Sequence, residues 1–437
     1  MEAVYVIYNL LLALALLVSA PYWLFRLLRQ GKYRKGVGSR LGMLPAHLCS
    51  LAAAGKPVVW VHAVSVGEIL AVAGLIEEMR RRFTGCAIAI STTTSTGHKL
   101  AGDRFGAENV FFFPLDLSFA VGRYLRLLRP MLVVIAETEF WPNFLRAARR
   151  SGAAVAVVNA RVSDRSFPRY RRFAILLRMV LRNVDCFLAQ SEADAQRLVA
   201  IGAEPSRVQV AGNLKFDAVA PTAKPEIGQL LSRVQEVGAG PIVVLGSTVE
   251  GEEQMLLATV RAIFGQHPRS LIILAPRHKE RFEAVAALLG NYGVPFTRRS
   301  YTEWPRNVTC GSVLLLDSIG ELASVYALAY VAFVGGSLAA RGGHNILEPA
   351  ACGIPIIVGP HTENFRDIVQ KFAAGGGVLV VRDEHELQSA LLRLLADPVE
   401  RKQLGERALG ILRENQGAME HTLAELQKLP GGRTKQC

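Results

Sequence analysis

The chain has 437 residues, enough for two or three domains with separate hydrophobic cores. Apolar residues make up 51% of it and the mean hydropathy is +0.26, which is high for a wholly soluble protein. The six cysteines include no Cys-x-x-Cys pair, which argues against a disulfide framework or a zinc site. The formal net charge of +13 arises in residues 1–220, which hold 28 Lys and Arg against 15 Asp and Glu.

An apolar segment opens the chain. No charged residue occurs between Ala3 and Phe25, and about 20 apolar residues are enough to cross a bilayer as a helix. No acid occurs between Glu2 and Glu68, while six basic residues follow the apolar segment. These are Arg26, Arg29, Lys32, Arg34, Lys35 and Arg40. Because positive residues stay on the cytoplasmic side, residues 1–30 are predicted to form a membrane-anchor helix that leaves the body of the protein in the cytoplasm.

Two alternatives to a spanning anchor follow from the same segment. A cleaved signal peptide fits less well, because no positive charge precedes the long apolar run. A helix lying in the membrane interface remains open. The basic first half predicts contact with an anionic membrane surface or lipid, with a solvated basic face as the alternative. Nucleic acid is not expected as a partner, since no zinc-finger, RNP or helix-turn-helix signature stands out.

Strand-length apolar runs alternate with helix-length amphipathic stretches from residue 58 onward. The strand candidates of the first half are Val58–His62, Ala87–Ser91, Val110–Pro114, Leu132–Ala136, Val155–Asn159, Phe187–Ala189 and Val208–Ala211. Those of the second half are Ile242–Leu245, Leu271–Ala275, Val313–Leu316, Tyr330–Val334, Ile354–Val358 and Val378–Val381. Helical candidates include Glu68–Phe83, Phe119–Leu128, Glu384–Leu395 and a polar tail, Val399–Gln427.

Near-continuous apolar strands separated by helices predict parallel sheets covered on both faces. A stretch with two prolines and small residues interrupts the pattern at the start of residues 218–240, which we predict as a linker. The predicted fold class is therefore α/β, with two doubly wound, Rossmann-like domains at 31–217 and 241–437 that face each other across a cleft. Ligands of such sheets bind outside the carboxyl ends of the strands.

The run Gly342–Pro349, which reads Gly-Gly-His-Asn-Ile-Leu-Glu-Pro, is the most informative motif. It follows a strand candidate that ends in Gly335-Gly336. Glycines there allow a ligand close to the backbone, and the N–H groups that begin the next helix favour an anion. Glu348, about one turn into that helix, could accept hydrogen bonds from a ribose diol. The motif predicts a nucleotide site without a metal; an ordinary strand–turn–helix is the alternative.

Three loops of the first half could carry chemistry. Glu68 lies at a predicted helix start, where a carboxylate can take a proton from an attacking hydroxyl, although a Glu there can equally serve only to stabilise its helix. Glu137 and Glu139 follow a strand and face the same side of an extended stretch. Either could bind a sugar hydroxyl or stabilise positive charge, with a polar structural turn as the alternative. Lys215 ends the first domain and suits a phosphate or a carboxylate, with an ordinary solvated lysine as the alternative.

Polar loops also end strands of the second half. They are Gly246-Ser247-Thr248, Pro276-Arg277-His278 and Asp317-Ser318-Ile319-Gly320-Glu321. The guanidinium of Arg277 could donate paired hydrogen bonds to a phosphate or to a base carbonyl. The chain lacks a G-x-x-x-x-G-K-[ST] loop, a G-x-G-x-x-G after either first strand, a D-x-D pair and a G-x-S-x-G elbow. Neither a metal nor a cofactor is therefore expected.

Taken together, these motifs resemble the Kdo (3-deoxy-D-manno-octulosonic acid) transferases, GT-B glycosyltransferases of lipid A and lipopolysaccharide biosynthesis. The resemblance covers essentially the whole chain. Besides the anchor, the segments that carry it are Val64–Glu68, Glu137–Asn143, Asn159–Arg161, Leu214–Asp217, Pro276–His278, Gly335–Ser337 and Gly342–Pro349. Ser318-Ile319 stands where the family usually has Thr-Met, and Ile346 where a Pro is often found; neither departure removes a charge.

The resemblance implies transfer of Kdo from CMP-Kdo to the lipid A precursor lipid IVA, a tetraacyldisaccharide 4′-phosphate, at the cytoplasmic face of the bacterial inner membrane. It implies release of CMP and inversion without a metal. Glu68 matches the family's general base, and Glu137 and Lys215 match positions that stabilise the transition state, with Glu139 as the alternative to Glu137. The implied donor contacts are Pro276, Arg277, Ile319, Gly320, Glu321, Asn345, Ile346, Leu347 and Glu348.

Rival hypotheses remain on the residues alone. A GT-B enzyme that uses a UDP-sugar on another lipid would keep the architecture. A membrane-anchored nucleotide-binding protein without catalysis would keep the second domain, but it would not need Glu68 and Glu137. A basic adaptor for anionic lipids would explain the first half only.

Overall fold

The computed structural model describes residues 2–29, 36–217, 225–301 and 304–430, which form two compact units. The first unit combines Met1–Ala218 with Gln416–Cys437, and the second is Val219–Asn415. Within the described ranges each unit contains one parallel sheet of seven strands. The predicted α/β class with two Rossmann-like domains is confirmed. Residues 218–224 of the predicted linker lie outside the described residues, as do Lys32, Arg34 and Lys35.

The sheet of the first unit reverses its direction of winding at its centre. Its strands are β1 (Val58–His62), β2 (Ala87–Thr92), β3 (Val110–Phe112), β4 (Pro130–Ala136), β5 (Ala154–Ala160), β6 (Cys186–Ala189) and β7 (Val208–Val210). Their order is β3-β2-β1-β4-β5-β6-β7. The chain winds outward from β1 to β3, crosses to β4 and winds outward again. The carboxyl ends of β1 and β4 therefore lie side by side at the switch point where such sheets bind ligands.

Helices formed by residues 2–200 flank this sheet, and most of them pack on one or other of its faces. They are α1 (Glu2–Arg29), α2 (Val37–Arg40), α3 (Ala46–Ala53), α4 (Val66–Arg82), α5 (Ser95–Phe105), α6 (Ser118–Leu128), α7 (Pro142–Arg150), α8 (Phe167–Arg172), α9 (Ala174–Leu181) and α10 (Glu192–Ala200). Side chains alternate along β1, so Val58 and Trp60 enter one core while Val59 and Val61 enter the other. Burial on both faces is why the strands are continuous apolar runs in the sequence.

The second unit repeats this architecture. Its strands are β8 (Ile242–Thr248), β9 (Leu271–Pro276), β10 (Phe296–Arg298), β11 (Ser312–Leu315), β12 (Val331–Val334), β13 (Ile356–Val358) and β14 (Leu379–Val380). Its helices are α11 (Pro225–Glu236), α12 (Glu252–Gln266), α13 (Phe282–Asn291), α14 (Leu322–Val325), α15 (Leu347–Ala351), α16 (Arg366–Ala374), α17 (Glu384–Ala396) and α18 (Pro398–Glu414). The strand order β10-β11-β9-β8-β12-β13-β14 puts the switch point between β8 and β12.

Two segments of the second unit differ from the predictions. The edge strand β10 has three residues, Phe-Thr-Arg, which are too few and too polar to show a strand pattern. Helix α11 lies inside the segment predicted as a linker, so that segment is partly folded. Its Leu230 and Val234 are buried in a core of the second unit.

The end of the chain returns to the first unit, which corrects the predicted boundary of the second domain at residue 437. Gly417, with φ of 101°, separates α18 from a last helix, α19 (Ala418–Lys428), so the predicted single tail is two helices. Leu423 and Leu426 are buried in the core of the first unit. The carboxylate of Asp217 accepts hydrogen bonds from the N–H groups of Gly417 and Met419, both at 2.7 Å.

Helix α1 contains the predicted anchor. Its segment Val4–Tyr22 has a mean hydropathy of 2.0 and only 6% of it is buried, so by length and composition it could cross a membrane. Leu17 and Val18 are 72% and 73% exposed. The other end of the helix is different, because Tyr5 is 4% exposed and packs on the first unit.

Candidate active site

Backbone strain lies at the carboxyl edges of both sheets. Glu137, which follows β4, has φ of 58°, Asn159 near the end of β5 has 53°, and Ser247 near the end of β8 has 55°. This left-handed conformation costs a residue other than glycine of order 1–3 kcal/mol and tends to occur at functional sites. The strain therefore points to the edges that the sequence motifs also indicate.

Hydrogen bonds at the N-terminus of α4 fix the Glu68 side chain in the loop after β1. Ser65 caps α4 and accepts a hydrogen bond from the Glu68 N–H at 3.4 Å. In return, the Glu68 carboxylate accepts from the Val64 N–H at 2.8 Å and from the Ser65 hydroxyl at 2.9 Å. These reciprocal bonds resemble a capping box, so Glu68 also stabilises its helix, which was the alternative role considered for it. Each carboxylate oxygen still has a lone pair that can accept a proton.

The acids Glu68, Glu137 and Glu139 come together because β1 and β4 are neighbours. Burial raises the pKa of Glu68 to about 7, and the charges of Glu137 and Glu139 add to this, against the opposing hydrogen bonds from Val64 and Ser65. Burial also raises the pKa of Glu139, and the charge of Glu137 contributes. A carboxylate whose pKa lies near neutrality is suited to accept a proton at physiological pH.

Lys215 lies on a short turn that β5 and α4 hold in place. The Asn159 side-chain oxygen accepts from the Leu214 N–H at 3.0 Å, and the Asn213 side chain accepts from the Lys215 N–H at 3.0 Å. The turn also contacts α4, whose first turn carries Glu68. Because β5 lies beside β4, the half-buried Lys215 belongs to the same sheet edge as the acids.

Sequence reasoning missed the supporting role of two buried polar residues at this edge. Asn159 is 1% exposed and positions the Lys215 turn, whereas the sequence analysis named it only as the end of a strand candidate and as part of a family motif. His62 stacks on Phe113 at 4.0 Å and shares a hydrogen bond of 2.9 Å with Ser91. Burial lowers the pKa of His62 to about 3, so the ring is neutral.

The second unit builds its glycine-rich loop around a buried carboxylate that the sequence analysis did not single out. Glu252 is fully buried at the start of α12. It accepts hydrogen bonds from the N–H groups of Val249 (3.2 Å), Gly336 (2.7 Å), Leu338 (2.9 Å) and Ala339 (3.2 Å). A carboxylate with four N–H donors holds the loop after β12 in one conformation.

The Gly342–Pro349 motif lies beside this loop. A Cβ at Gly336 would come within 2.8 Å of the His344 ring, which explains the glycine. Asn345 donates to the Glu348 carboxylate at 3.2 Å and accepts from the Leu347 N–H at 3.1 Å. Helix α15 has only five residues and Glu348 is its second, not one turn in, so its dipole is smaller than the motif suggested.

The loops after two strands, β9 and β12, interact electrostatically in this unit. Burial lowers the pKa of His344 to about 4, and the charges of Arg277 and His278 contribute. Burial raises the pKa of Glu348, which Asn345 and the charge of Arg277 oppose. The exposed Arg277 after β9 therefore acts on both side chains of the motif after β12.

The other predicted donor residues differ in what they could offer a ligand. Pro276, Ile346 and Leu347 are buried, so their backbone groups rather than their side chains are available. Ile319 is 67% exposed beside Gly320, which has φ of 83°. These two residues form a projecting turn after β11.

Glu321 is already paired. The Arg299 guanidinium donates two hydrogen bonds to its carboxylate, at 2.9 and 3.0 Å, and the Ser318 hydroxyl donates another. Glu321 therefore shapes the 317–321 loop whether or not it contacts a ligand. Across residues 2–29, 36–217, 225–301 and 304–430, no group of three or more His, Cys, Asp or Glu side chains is arranged to hold a metal ion.

Comparisons with known proteins agree with this architecture. Residues 35–218 match the family model described as 3-deoxy-D-manno-octulosonic-acid transferase, and residues 312–410 match glycosyl transferases group 1. The 3-deoxy-D-manno-octulosonic acid transferase of Haemophilus influenzae is 33% identical over 397 residues, covering 90% of this chain and 91% of that protein. The protein of that name from Bordetella pertussis is 36% identical, covering 93% and 95%.

A solved structure shows the same fold in a distant protein. UDP-GlcNAc 2-epimerase from Neisseria meningitidis bound to UDP-GlcNAc superposes with a TM-score of 0.55 at 14% identity, over 85% of this chain and 100% of that one. The two Rossmann-like units and the family matches define a glycosyltransferase of the GT-B type. Within that class, the chain belongs to the 3-deoxy-D-manno-octulosonic acid (Kdo) transferase family.

Proposed function

We propose that the protein transfers Kdo from CMP-Kdo to the lipid A precursor lipid IVA and releases CMP, with Glu68 as the general base. The observation that carries the proposal is the cluster of Glu68, Glu137 and Glu139 at the switch point of the first sheet, with the pKa of Glu68 raised to about 7 by burial. A base with that pKa can take the proton of an attacking sugar hydroxyl near neutral pH.

The reaction is a single displacement at the anomeric carbon of Kdo. Glu68 takes the proton of the acceptor hydroxyl, whose oxygen forms the new glycosidic bond as the bond to the CMP phosphate breaks. Single displacement inverts the anomeric configuration. The transition state has oxocarbenium character, so we assign Glu137 to stabilise the positive charge and Lys215 to neutralise the departing phosphate. Neither role requires a metal.

The second unit is proposed to bind the donor nucleotide. Arg277 offers a guanidinium fork to a phosphate or to the cytosine carbonyl. Glu348, to which the Asn345 side chain donates a hydrogen bond, is assigned to accept hydrogen bonds from the ribose hydroxyls. The remaining contacts proposed for CMP are the backbone of Pro276, Ile346 and Leu347 and the 319–321 turn.

A membrane face is proposed on the first unit, where apolar and basic residues are exposed together. On α9 and just before it, Phe173, Ile175 and Leu176 are 50%, 84% and 45% exposed. Helices α8 and α9 also carry Arg169, Arg171, Arg172 and Arg178. Apolar side chains surrounded by arginines suit the surface of an anionic bilayer. We propose that this face and α1 hold the protein at the cytoplasmic side of the bacterial inner membrane, where a phosphorylated lipid acceptor is found.

To test this, purified protein is incubated with lipid IVA and either CMP-Kdo or one of a series of UDP-sugars, and the lipid product is analysed by mass spectrometry. We expect the mass of one or more Kdo residues to be added from CMP-Kdo and no transfer from UDP-sugars. Transfer of a different sugar from a UDP donor would refute the donor assignment.

The role of Glu68 is tested with Glu68→Gln. This variant should bind CMP normally and lose transfer by at least roughly 100-fold, because an amide cannot accept the proton. Glu77→Gln is the matched control: Glu77 lies on the same helix, 44% exposed, in a surface ion pair with Arg104 at 2.8 Å. Turnover of Glu68→Gln close to that of this control would remove Glu68 as the base.

A further inference from the structure

The first two turns of α1 are docked on the body of the first unit. The ring of Tyr5 lies under the Arg146 guanidinium, 4.1 Å from the ring centroid. The Tyr5 hydroxyl accepts a hydrogen bond from Asn183 at 3.2 Å and lies 3.3 Å from the Met179 carbonyl, to which it donates. Because both the ring and the hydroxyl of this buried tyrosine make contacts, Tyr5 fixes the start of α1 to the body of the unit.

The next residues of α1 reach a buried carboxylate. The Tyr8 hydroxyl donates to Asp116 at 2.9 Å, and the side-chain amide of Asn143 donates to Asn9 at 2.7 Å. Asp116 is 2% exposed and Asn143 is 4% exposed. Tyr5, Tyr8 and Asn9 share one face of the helix, since they are three and four positions apart.

Asp116 is in turn the cap of α7. Its carboxylate accepts from the Asn143 N–H at 2.9 Å and from the Phe144 N–H at 2.8 Å. The residue before the helix, Trp141, makes no side-chain capping bond. A carboxylate at a helix N-terminus satisfies N–H groups that have no partner inside the helix and also interacts favourably with the helix dipole. The cap of α7 thus comes from another loop, and α1 supports that cap.

Helix α7 begins immediately after the loop that carries the candidate acids. Residues 137–141 connect β4 to α7, so the loop is fixed at one end by the sheet and at the other by the capped helix. Glu137 in this loop has φ of 58°, a conformation that persists only where the surrounding structure constrains the backbone. A shift of the N-terminus of α7 would therefore change the conformation of the loop that carries Glu137 and Glu139.

We propose that the first two turns of α1 are a positioning element of the active site, acting through the bonds from Tyr8 to Asp116 and from Asn143 to Asn9. The inference rests on the proposed function in that it assigns the 137–141 loop to catalysis. It couples the docked turns of α1, which continue into a segment where Leu10 and Leu14 are exposed, to the catalytic loop. Insertion of α1 in the membrane would then hold the loop in its working conformation.

Tyr8→Phe tests the proposal because it removes one hydroxyl and keeps the ring. Leu17→Ala is the matched control on the same helix, since Leu17 is 72% exposed and far from the docked turns. The acceptor is supplied in detergent micelles, so that recruitment to a bilayer does not limit the rate. We expect Tyr8→Phe to lower kcat by roughly three- to tenfold with the KM for CMP-Kdo unchanged, and Leu17→Ala to keep both constants.

Hydrogen–deuterium exchange supplies a readout that does not need activity. Amides of residues 137–144 should exchange roughly tenfold faster in Tyr8→Phe, while the sheet strands keep their protection. Asp116→Ala should have at least as large an effect, because it removes the acceptor of the Tyr8 hydroxyl and of the two α7 N–H groups, and Tyr8→Phe should add little in that background.

Unchanged exchange and unchanged kcat in Tyr8→Phe would overturn the proposal and leave α1 as a tether. A fall in kcat matched by faster exchange throughout the first unit would also overturn it, because the effect would then be general destabilisation. If wild-type protein transfers no Kdo while the exchange effect is still seen, the proposed function fails and the coupling between α1 and the loop stands.

Discussion

The raised pKa of Glu68 predicts how the reaction depends on pH. An ordinary glutamate, with a pKa of 4.5, is almost fully ionised at pH 6, whereas the pKa of Glu68 is about 7. Its ionised fraction is then about one tenth at pH 6 and about nine tenths at pH 8. Because a general base must be ionised to accept a proton, kcat/KM should rise roughly tenfold between pH 6 and pH 8 and then level off.

The neighbouring acid provides an internal check on this pH dependence. The negative charge of Glu137 helps to raise the pKa of Glu68, so Glu137→Gln should move the midpoint of the profile to lower pH, whatever it does to the maximum rate. The assay is the initial rate at low CMP-Kdo concentration over pH 5.5–9, with CMP binding and thermal unfolding measured at each pH as controls. A flat profile between pH 6 and pH 8 in a folded, CMP-binding protein would refute Glu68 as a base with a raised pKa.

Three other substitutions test separate parts of the structure. Glu252→Gln should destabilise the second unit by about 2–4 kcal/mol in urea unfolding and weaken CMP binding. The glutamine N–H₂ group is itself a donor, so backbone N–H groups facing it would lose their acceptor. Glu250→Gln, at an exposed position, is the control and should have neither effect. Asp217→Ala should lower the free energy of unfolding by about 1–2 kcal/mol, because it removes the acceptor of the two N–H groups that begin α19; an unchanged unfolding curve would contradict this. Ile175→Glu should reduce sedimentation with anionic vesicles severalfold, and Val399→Glu, at another exposed apolar site but in the second unit, should not.

Most of the fold could be predicted because the helices bury both faces of each sheet. A strand covered on both faces is apolar along most of its length, so β1, β4, β9 and β12 appear in the sequence as short apolar runs whose ends are marked by polar or glycine-rich loops. Knowing that the strands are parallel then places Glu68, Glu137, Arg277 and Glu348 at carboxyl edges. The roles assigned to these residues stay predictions until the rates are measured.

What the sequence could not show depends on contacts between distant segments. The three-residue β10 has no pattern of its own, and α19 resembles any amphipathic helix, so nothing local indicates that it packs on the first unit. The docked turns of α1 were hidden for another reason: an apolar run long enough for a membrane predicts a tether, and the partners of Tyr8 and Asn9 are 108 and 134 residues away.

Local sequence thus determined the type of each sheet, the positions of the strand ends and the kinds of side chain carried there, because strands buried on both faces are recognisable as nearly continuous apolar runs. Tertiary structure alone decided which of those side chains meet. The order of strands brings Glu68 beside Glu137 and Glu139. Burial in the fold, with a smaller contribution from those two charges, raises the pKa of Glu68 from that of an ordinary glutamate to about 7. Likewise, Asp116 becomes the cap of α7 only once the chain has folded back on itself.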